Sequence, residues 1–275
     1  MPVAGESGGG AGGETRRSRG AAPDLEPSRI AALFDRSAAT YDRVNTIITF
    51  GRDAAWRRWA ARQAVPQAIG APSPAPALSP SPASALPVRP PEVLDACAGT
   101  GLLALELARR GAKVTAADAA PGMMAVARDR LGAAGLPLRT VAADLSGEAA
   151  VDALGGPFAA ITLGFGLRYF ADPGAPLRLL RGLLAPGGRL VVLEAVRPPH
   201  DPLGAAAGLY LFRMAPRLGA ALAGRAELYE LLTVSTCVLG SADDVAAHLR
   251  GAGFAVAARR RFAGGVVAGF VARPD

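Results

Sequence analysis

From Glu92 onward, short apolar runs alternate with segments whose large side chains recur at helical spacing. The runs EVLDAC, KVTAAD, LRTVAAD, FAAITLGF and GRLVVLEAV read as strands, being short, apolar and bounded by turn residues. LLALELARR, GMMAVARDRL and APLRLLRGLL read as helices. Met124, Ala127 and Leu131 fall at i, i+3, i+7, as do Leu177, Leu180 and Leu184, so each set lines one helix face. Pro186-Gly187-Gly188 is expected to stop the last of these helices before its strand. Strands alternating with helices predict an α/β fold: a doubly wound, mostly parallel sheet with helices on both faces. The chain closes with a helix around Asp243 to Arg250 and the runs FAVAARR and GGVVAGFVAR, whose two-residue spacing and glycine punctuation predict an antiparallel C-terminal pair. Residues 201–234 break the alternation and are expected to form an inserted helical lid.

Upstream, residues 28–65 carry Ile30, Leu33 and Phe34 on one helical face and Trp56, Trp59 and Gln63 at helical spacing, predicting two or three short helices as an N-terminal cap. Residues 1–27 are rich in Gly, Ala, Pro and Ser with few large apolar side chains, so burial cannot offset their ordering entropy, and a disordered tail is expected. Residues 66–91 alternate proline with small residues, which rules out a continuing helix and predicts a Pro/Ala-rich linker or insertion. The main domain is then 92–275.

The chain has 275 residues and is 51% hydrophobic, enough to build a core for one sizeable domain with appendages. Its N-terminus has no apolar h-region and its longest charge-free stretch is broken by prolines, so neither a signal peptide nor a transmembrane helix is expected. Cys97 and Cys237 lie far apart without metal-ligand spacing, which fits a reducing cytoplasm and no metal site. The net charge of +7 comes from scattered arginines, apart from Arg16, Arg17 and Arg19 and the run at 259–261, with no interleaved aromatics. Nucleic acid is the weaker partner on that pattern.

Candidate chemistry begins where EVLDAC runs into AGTGLLA. Gly99 and Gly101 stand where a backbone turns tightly and meets a ligand at a helix N-terminus. With Ala104 they also satisfy G-x-G-x-x-A, and Asp118 lies at the distance of a ribose-binding acid, so a nicotinamide enzyme fits this loop as well. Asp95, just before the glycines, tilts the balance, because a carboxylate there suits a cationic methionine moiety and repels a pyrophosphate. Asp118 ends the second strand, where it can accept from ribose hydroxyls, and Asp144 ends the third, where it can accept from an adenine amine. The set points to S-adenosylmethionine.

Longer segments then carry a resemblance. FDRSAATYDRVNTIITFGRDAAWRR resembles the F-x-x-x-A-x-x-Y-D-x-x-N…S-F-G-x-x-x-x-W opening of the UbiE-type ubiquinone/menaquinone C-methyltransferases. GFGLRYFADPGAPLRLLRGLLAPGGRLVVLEAVRPP is similar to that family's stretch from S-F-G-L-R-N to L-E-F-S-x-P, and the closing GAGF…GGVVAGF to its E-A-G-F…G-G-I-V-A. The match runs from about Ile30 to Arg273, within the class I methyltransferase, Rossmann-like fold. The first 27 residues and the proline-rich insertion have no counterpart. The resemblance implies cofactor contacts at Thr100, Asp118, the Asp144-Leu145 pair and Gly164, where the family usually has serine. It implies that Tyr41, Asp42, Asn45, Phe165 and Arg168 lie near a substrate ring. Tyr169 stands at the family's Asn, and Leu102 at its Asp.

The implied reaction is C-methylation of a lipid-tailed quinol, with an O- or N-methyltransferase of another small aromatic and a non-catalytic cofactor-binding protein as rivals. Arg168 is the candidate stabiliser of a phenolate, its other reading being an i,i+4 ion pair with Asp172. His200 is a candidate general base or else a solvated loop residue, and Cys97 reads as packing. The apolar segment 203–224, interrupted by Arg213, Pro216 and Arg217, suits a prenyl-tail tunnel or ordinary lid packing. With the helix of Trp56-Arg57-Arg58-Trp59, it also suits contact with the inner face of a membrane. A homodimer is a further candidate assembly.

Overall fold

The computed structural model describes residues 26–66, 89–147, 149–224 and 226–275. The tail expected over 1–27 and the insertion expected over 66–91 lie almost wholly outside these residues. Helix α1 (Pro27–Ile48) starts where the Glu26 carboxylate accepts from the first free backbone N–H groups and proline takes the first helical position. It stops at Thr49, and Gly51, at φ +70°, turns the chain into α2 (Arg52–Ala64). The cap is thus two helices, one of them 22 residues long.

Seven strands form one sheet: β1 (Glu92–Ala96), β2 (Lys113–Asp118), β3 (Leu138–Ala142), β4 (Phe158–Gly164), β5 (Leu184–Ala195), β6 (Phe254–Phe262) and β7 (Val267–Pro274). Their order is β3-β2-β1-β4-β5-β7-β6, and β7 alone runs antiparallel to its neighbours, as the C-terminal pattern predicts. Helices α3 (Leu102–Arg109), α4 (Pro121–Ala133), α5 (Ala149–Leu154), α6 (Gly174–Gly182) and α10 (Ala242–Gly251) connect the strands. Adjacent strand residues point to opposite faces. Leu94, Ile161, Leu190 and Phe270 therefore pack with Leu177, Leu180 and Leu249 in one core layer, while Val93, Ala160, Val191 and Val271 pack with Trp59, Leu107 and Leu131 in the other. Strand order reverses between β1 and β4, and such a switch point opens a crevice at the carboxyl ends of the strands.

Between β5 and α10 the chain forms α7 (Pro202–Leu209), a π-helical stretch over Tyr210–Met214, α8 (Ala215–Ala223) and α9 (Ala226–Leu239). Helix α8 packs on both α1 and α9. The helical region runs to Leu239, past the expected limit at 234, because Thr233 and Thr236 satisfy their hydroxyls on carbonyls four residues back and do not break the helix. Two further boundaries differ from the sequence reading. Helix α6 ends at Gly182, so Leu184 belongs to β5, and Pro186-Gly187-Gly188 lies within that strand beside a shift in the β4–β5 register. The six-residue α5 was not expected, being too short for a periodicity to register. The arginine run lies on edge strand β6, where Arg259 pairs with Asp243 and Arg260 covers the Phe262 ring; charge on an edge strand discourages pairing with other chains.

Candidate active site

A cavity of about 530 Å³ opens at the ends of β1 and β4 and is walled by α1, α2 and the inserted helices. Its floor is the glycine loop. Gly99 and Gly101 hold φ of +54° and +77°, which a side chain would strain. A Cβ on Gly101 would sit 2.7 Å from the Ala127 side chain, so this glycine lets α3 and α4 approach. A Cβ on Gly99 would meet nothing within 4 Å, so there the bare backbone faces open cavity. The Asp118 carboxylate at the end of β2 accepts from the backbone N–H of Gly99 at 2.8 Å and of Ala120 at 2.9 Å, which locks the loop to the next strand. Burial pushes the Asp118 carboxyl above the usual range, against those two bonds.

Asp95 is the more unusual acid. It is 1% exposed; Oδ1 accepts from the Thr162 hydroxyl at 2.6 Å, while Oδ2 is buried with no partner among the described residues. Burial raises its pKa to about 7, with the Thr162 hydroxyl and the Ala104 backbone N–H pulling the other way. An orphaned carboxylate oxygen beside a bare glycine backbone fits a ligand with a cationic end. Asp144 and the buried Leu145 line the cavity beyond β3, and Gly164 lines it from β4. Together these residues suit S-adenosylmethionine: two ribose hydroxyls for Asp118, an adenine edge for Asp144 and Leu145, and a cationic amino-acid tail for Asp95.

The other half of the cavity holds a buried ion pair ringed by aromatic side chains. Arg168 is 4% exposed, in a single 3-10 turn after β4, and donates to the Glu194 carboxylate on β5, itself fully buried. Its second amino group donates to the Tyr169 hydroxyl at 3.0 Å, and its Cζ lies 4.7 Å from the Tyr169 ring and 5.8 Å from the Phe165 ring. Burial works against the guanidinium charge, but Tyr169, Glu194 and Tyr41 together hold its pKa above the ordinary range. Asp172 pairs with Arg178, so the i,i+4 pair with Arg168 does not form. Burial likewise raises the Tyr41 and Tyr169 phenols, against the opposing pull of the Arg168 charge. Phe34 stacks edge-on with both rings, at 5.6 Å and 5.2 Å, so α1 supplies the far wall.

Most residues singled out from the sequence meet at this cavity: Tyr41, Asp42, Asn45, Asp95, Gly99, Thr100, Asp118, Asp144, Leu145, Gly164, Phe165, Arg168 and Tyr169 all line it. Two of them are engaged elsewhere. The Thr100 hydroxyl donates to Asp42 at 2.6 Å, and Arg130 donates both to the other Asp42 oxygen and to the Thr100 carbonyl, so this trio ties α1 to the glycine loop and α4. His200 is exposed and does not line the cavity. The chain has left the sheet by Arg197, whose N–H bonds the Gly240 carbonyl, and His200 follows in the turn before α7. Cys97 holds φ +54° and packs where a Cβ on Gly166 would come within 2.5 Å of it, and burial raises its thiol well above the normal range, as suits a packing residue. Trp56 and Trp59 are both buried, so α2 does not offer them to a membrane. Sequence reasoning missed Glu194, Asp53 and Trp56 as cavity or cluster residues. Glu194, a lone acid inside the apolar run LVVLEAV, was the one visible signal.

The chain is similar to several known methyltransferases. A demethylmenaquinone methyltransferase of Thermus thermophilus is 37% identical over 226 residues, 82% of this chain and 92% of that protein. Another, from Clavibacter sepedonicus, is 33% identical over 243 residues, 88% and 89% of the two chains. Among solved structures, an O-methyltransferase family protein from Burkholderia thailandensis superposes with a TM-score of 0.52 at 20% identity, covering 68% of this chain and 52% of that one, a likeness of fold. The model of the ubiE/COQ5 methyltransferase family matches residues 23–273, and the chain belongs to that family.

Proposed function

We propose that this methyltransferase C-methylates the ring of a lipid-tailed quinol, demethylmenaquinol above all, using S-adenosylmethionine. The observation that carries the reading is the Arg168–Glu194 pair, a permanent cation sealed into an otherwise aromatic half-cavity that adjoins the glycine loop. Bound there, S-adenosylmethionine supplies an electrophilic methyl group on a sulfonium sulfur. Asp118, Asp144, Leu145 and Asp95 would hold and orient it, and the aromatic walls would exclude water. The acceptor carbon becomes nucleophilic when the hydroxyl beside it ionises. An ordinary phenol has a pKa of about 10, so an adjacent fixed cation stabilises the phenolate at neutral pH. Arg168 supplies that charge and cannot itself accept the proton, which leaves to water or a neighbouring side chain. The methyl group that S-adenosylmethionine would supply would pass to this activated ring carbon, its former bonding pair remaining with sulfur, and loss of the ring proton would restore aromaticity.

Contact with a membrane surface is the companion proposal. Among the described residues no helix is long and apolar enough to cross a membrane. Phe50, Leu203, Leu209, Met214, Leu218 and Leu222 are nevertheless exposed, on the α1–α2 turn and on α7 through α8, and Phe50, Leu203, Tyr210 and Leu211 also line the cavity. An apolar rim at the cavity mouth, with Arg52, Arg213 and Arg217 exposed beside it, suits entry of a prenyl tail from an anionic bilayer.

Two measurements test the active-site reading separately. Calorimetry with S-adenosylmethionine should show binding to wild type and little to Asp118→Ala. Single-turnover methyl transfer should be lost in Arg168→Met while cofactor binding is kept; loss of cofactor binding in that variant would place Arg168 in the wrong half of the site.

A further inference from the structure

One buried carboxylate in the cavity serves neither the glycine loop nor the Arg168 cluster. Asp53 stands in the first turn of α2 and is 4% exposed. Its Oδ2 accepts from Arg57 Nη2 at 2.8 Å, whereas its Oδ1 is buried and accepts nothing among the described residues. Helix geometry accounts for the first oxygen only. An acid in the first turn with a cation four residues on favours the helix equally well when exposed, so it gives no reason to strip water from Oδ1.

The surroundings do give a reason. Asp53 and Trp56 are three residues apart, hence on one face of α2, and both line the cavity. Around Trp56 the wall is apolar: Leu193, Val266 and Val267, with Phe165 packed against them. The Trp56 and Phe165 rings lie 6.3 Å apart, and the Phe165 ring is also one of the two that face Arg168. The two aromatic rings therefore link the turn that carries Asp53 to the cation that faces the reacting side of the acceptor.

We propose that Asp53 Oδ1 accepts a hydrogen bond from the second hydroxyl of the acceptor, the one across the ring from the oxygen that Arg168 stabilises, and so selects reduced quinol over oxidised quinone. The assignment rests on the quinol reading of the site. A quinol hydroxyl can donate to the carboxylate, whereas a quinone carbonyl has only lone pairs to set against it. Selection matters for turnover, since only the reduced ring is electron-rich enough to attack a sulfonium methyl, and the quinone would otherwise occupy the cavity unproductively.

The test is equilibrium dialysis of a short-tailed demethylmenaquinol, kept reduced by dithionite, and of its quinone, against full-length protein loaded with S-adenosylhomocysteine. Wild type should bind the reduced form at least about tenfold more tightly, because a site built for a hydroxyl rejects a partner that lacks it. In Asp53→Asn, whose amide can donate to a carbonyl, the preference should shrink to about twofold or reverse, with cofactor affinity unchanged. A wild type without preference, or a variant that keeps the full preference, overturns the assignment. A second measurement needs no variant: on wild type, a mono-O-methyl ether that caps only the far hydroxyl should lose at least about tenfold in kcat/KM, and an ether that reacts as well as the quinol overturns the assignment equally. If cofactor-loaded wild type methylates no quinol at all, the acceptor reading falls first and takes Asp53's role with it. Methylation with an unaltered redox preference in Asp53→Asn removes only the latter.

Discussion

Replacing Arg168 with methionine separates two roles of one side chain, because the guanidinium both neutralises a buried acid and faces the acceptor. Glu194 is fully buried and Arg168 is 4% exposed, so Arg168→Met strands a carboxylate away from water. Breaking a buried pair on one side costs about 3–5 kcal/mol. At about 2–4 °C per kcal/mol for a domain of this size, the melting temperature should fall by roughly 6–20 °C. The loss should depend on pH with a definite sign. Burial already pushes the Glu194 carboxyl up, and without the Arg168 guanidinium only the backbone N–H groups of Ala195 and of residue 168 oppose that rise. A folded-state pKa above the unfolded value means stability is retained below the unfolded pKa and lost as pH rises through the folded one. The variant should therefore be less impaired at pH 5 than at pH 8. The double variant Arg168→Met/Glu194→Gln carries no stranded charge and should regain most of the stability at pH 8, since a neutral replacement of a buried pair is often harmless. Turnover should stay about 10²–10³-fold down, the usual cost of removing one preorganised charge-stabilising donor. Thermal unfolding by circular dichroism and single-turnover methyl transfer read the two effects. A double variant that recovers activity together with stability would refute the catalytic role, and a single variant as stable as wild type would refute the electrostatic account.

Three further outcomes follow from the same structure. Gly101→Ala forces a side chain to φ +77° and into Ala127, and should destabilise by about 2–5 kcal/mol, combining left-handed strain with overpacking; Gly99→Ala meets no neighbour, so denaturant unfolding should show only the strain, about 1–2 kcal/mol, while cofactor affinity falls. Asp95, held near pH 7 by burial, must be ionised to meet a cationic ligand, so calorimetry should show S-adenosylmethionine binding more tightly from pH 6 to pH 8 with proton release; affinity flat in pH would contradict this. Replacing Phe50 and Leu209 together with serine should reduce sedimentation with anionic phosphatidylglycerol vesicles and leave turnover of a water-soluble short-tailed quinol intact; unchanged sedimentation would move the membrane contact elsewhere.

The sheet and cofactor half were legible because each rests on local pattern. Short apolar runs and helical spacings place the strands and helices, and Asp95, Gly99, Gly101 and Asp118 follow from lying late in a strand, in the turn after it or at a strand end. The acceptor half was less so. Tyr41 and Arg168 were reached only through the family resemblance, since no spacing announces that residues so far apart share a cavity. Asp42 lay in the same motif, yet its oxygens are spent on Thr100 and Arg130, a tertiary contact invisible in one dimension. Asp53 looked like an ordinary first-turn acid, and only its burial singles it out. The tryptophans of α2 looked like membrane anchors beside two arginines, yet the sheet buries both: a Cβ on Gly269 would lie 2.3 Å from the Trp59 ring, so that glycine makes the room.

The central claim, transfer to carbon beside a cation-stabilised phenolate, is tested most directly by labelling. Wild type, S-adenosylmethionine carrying a ¹³C methyl group, and a short-tailed demethylmenaquinol are incubated under reducing conditions, and the product is read by carbon NMR. The account predicts a single new methyl resonance in the aryl-methyl region, on the ring carbon beside the hydroxyl. A resonance in the methoxy region, or bound cofactor with no label transferred, would contradict it.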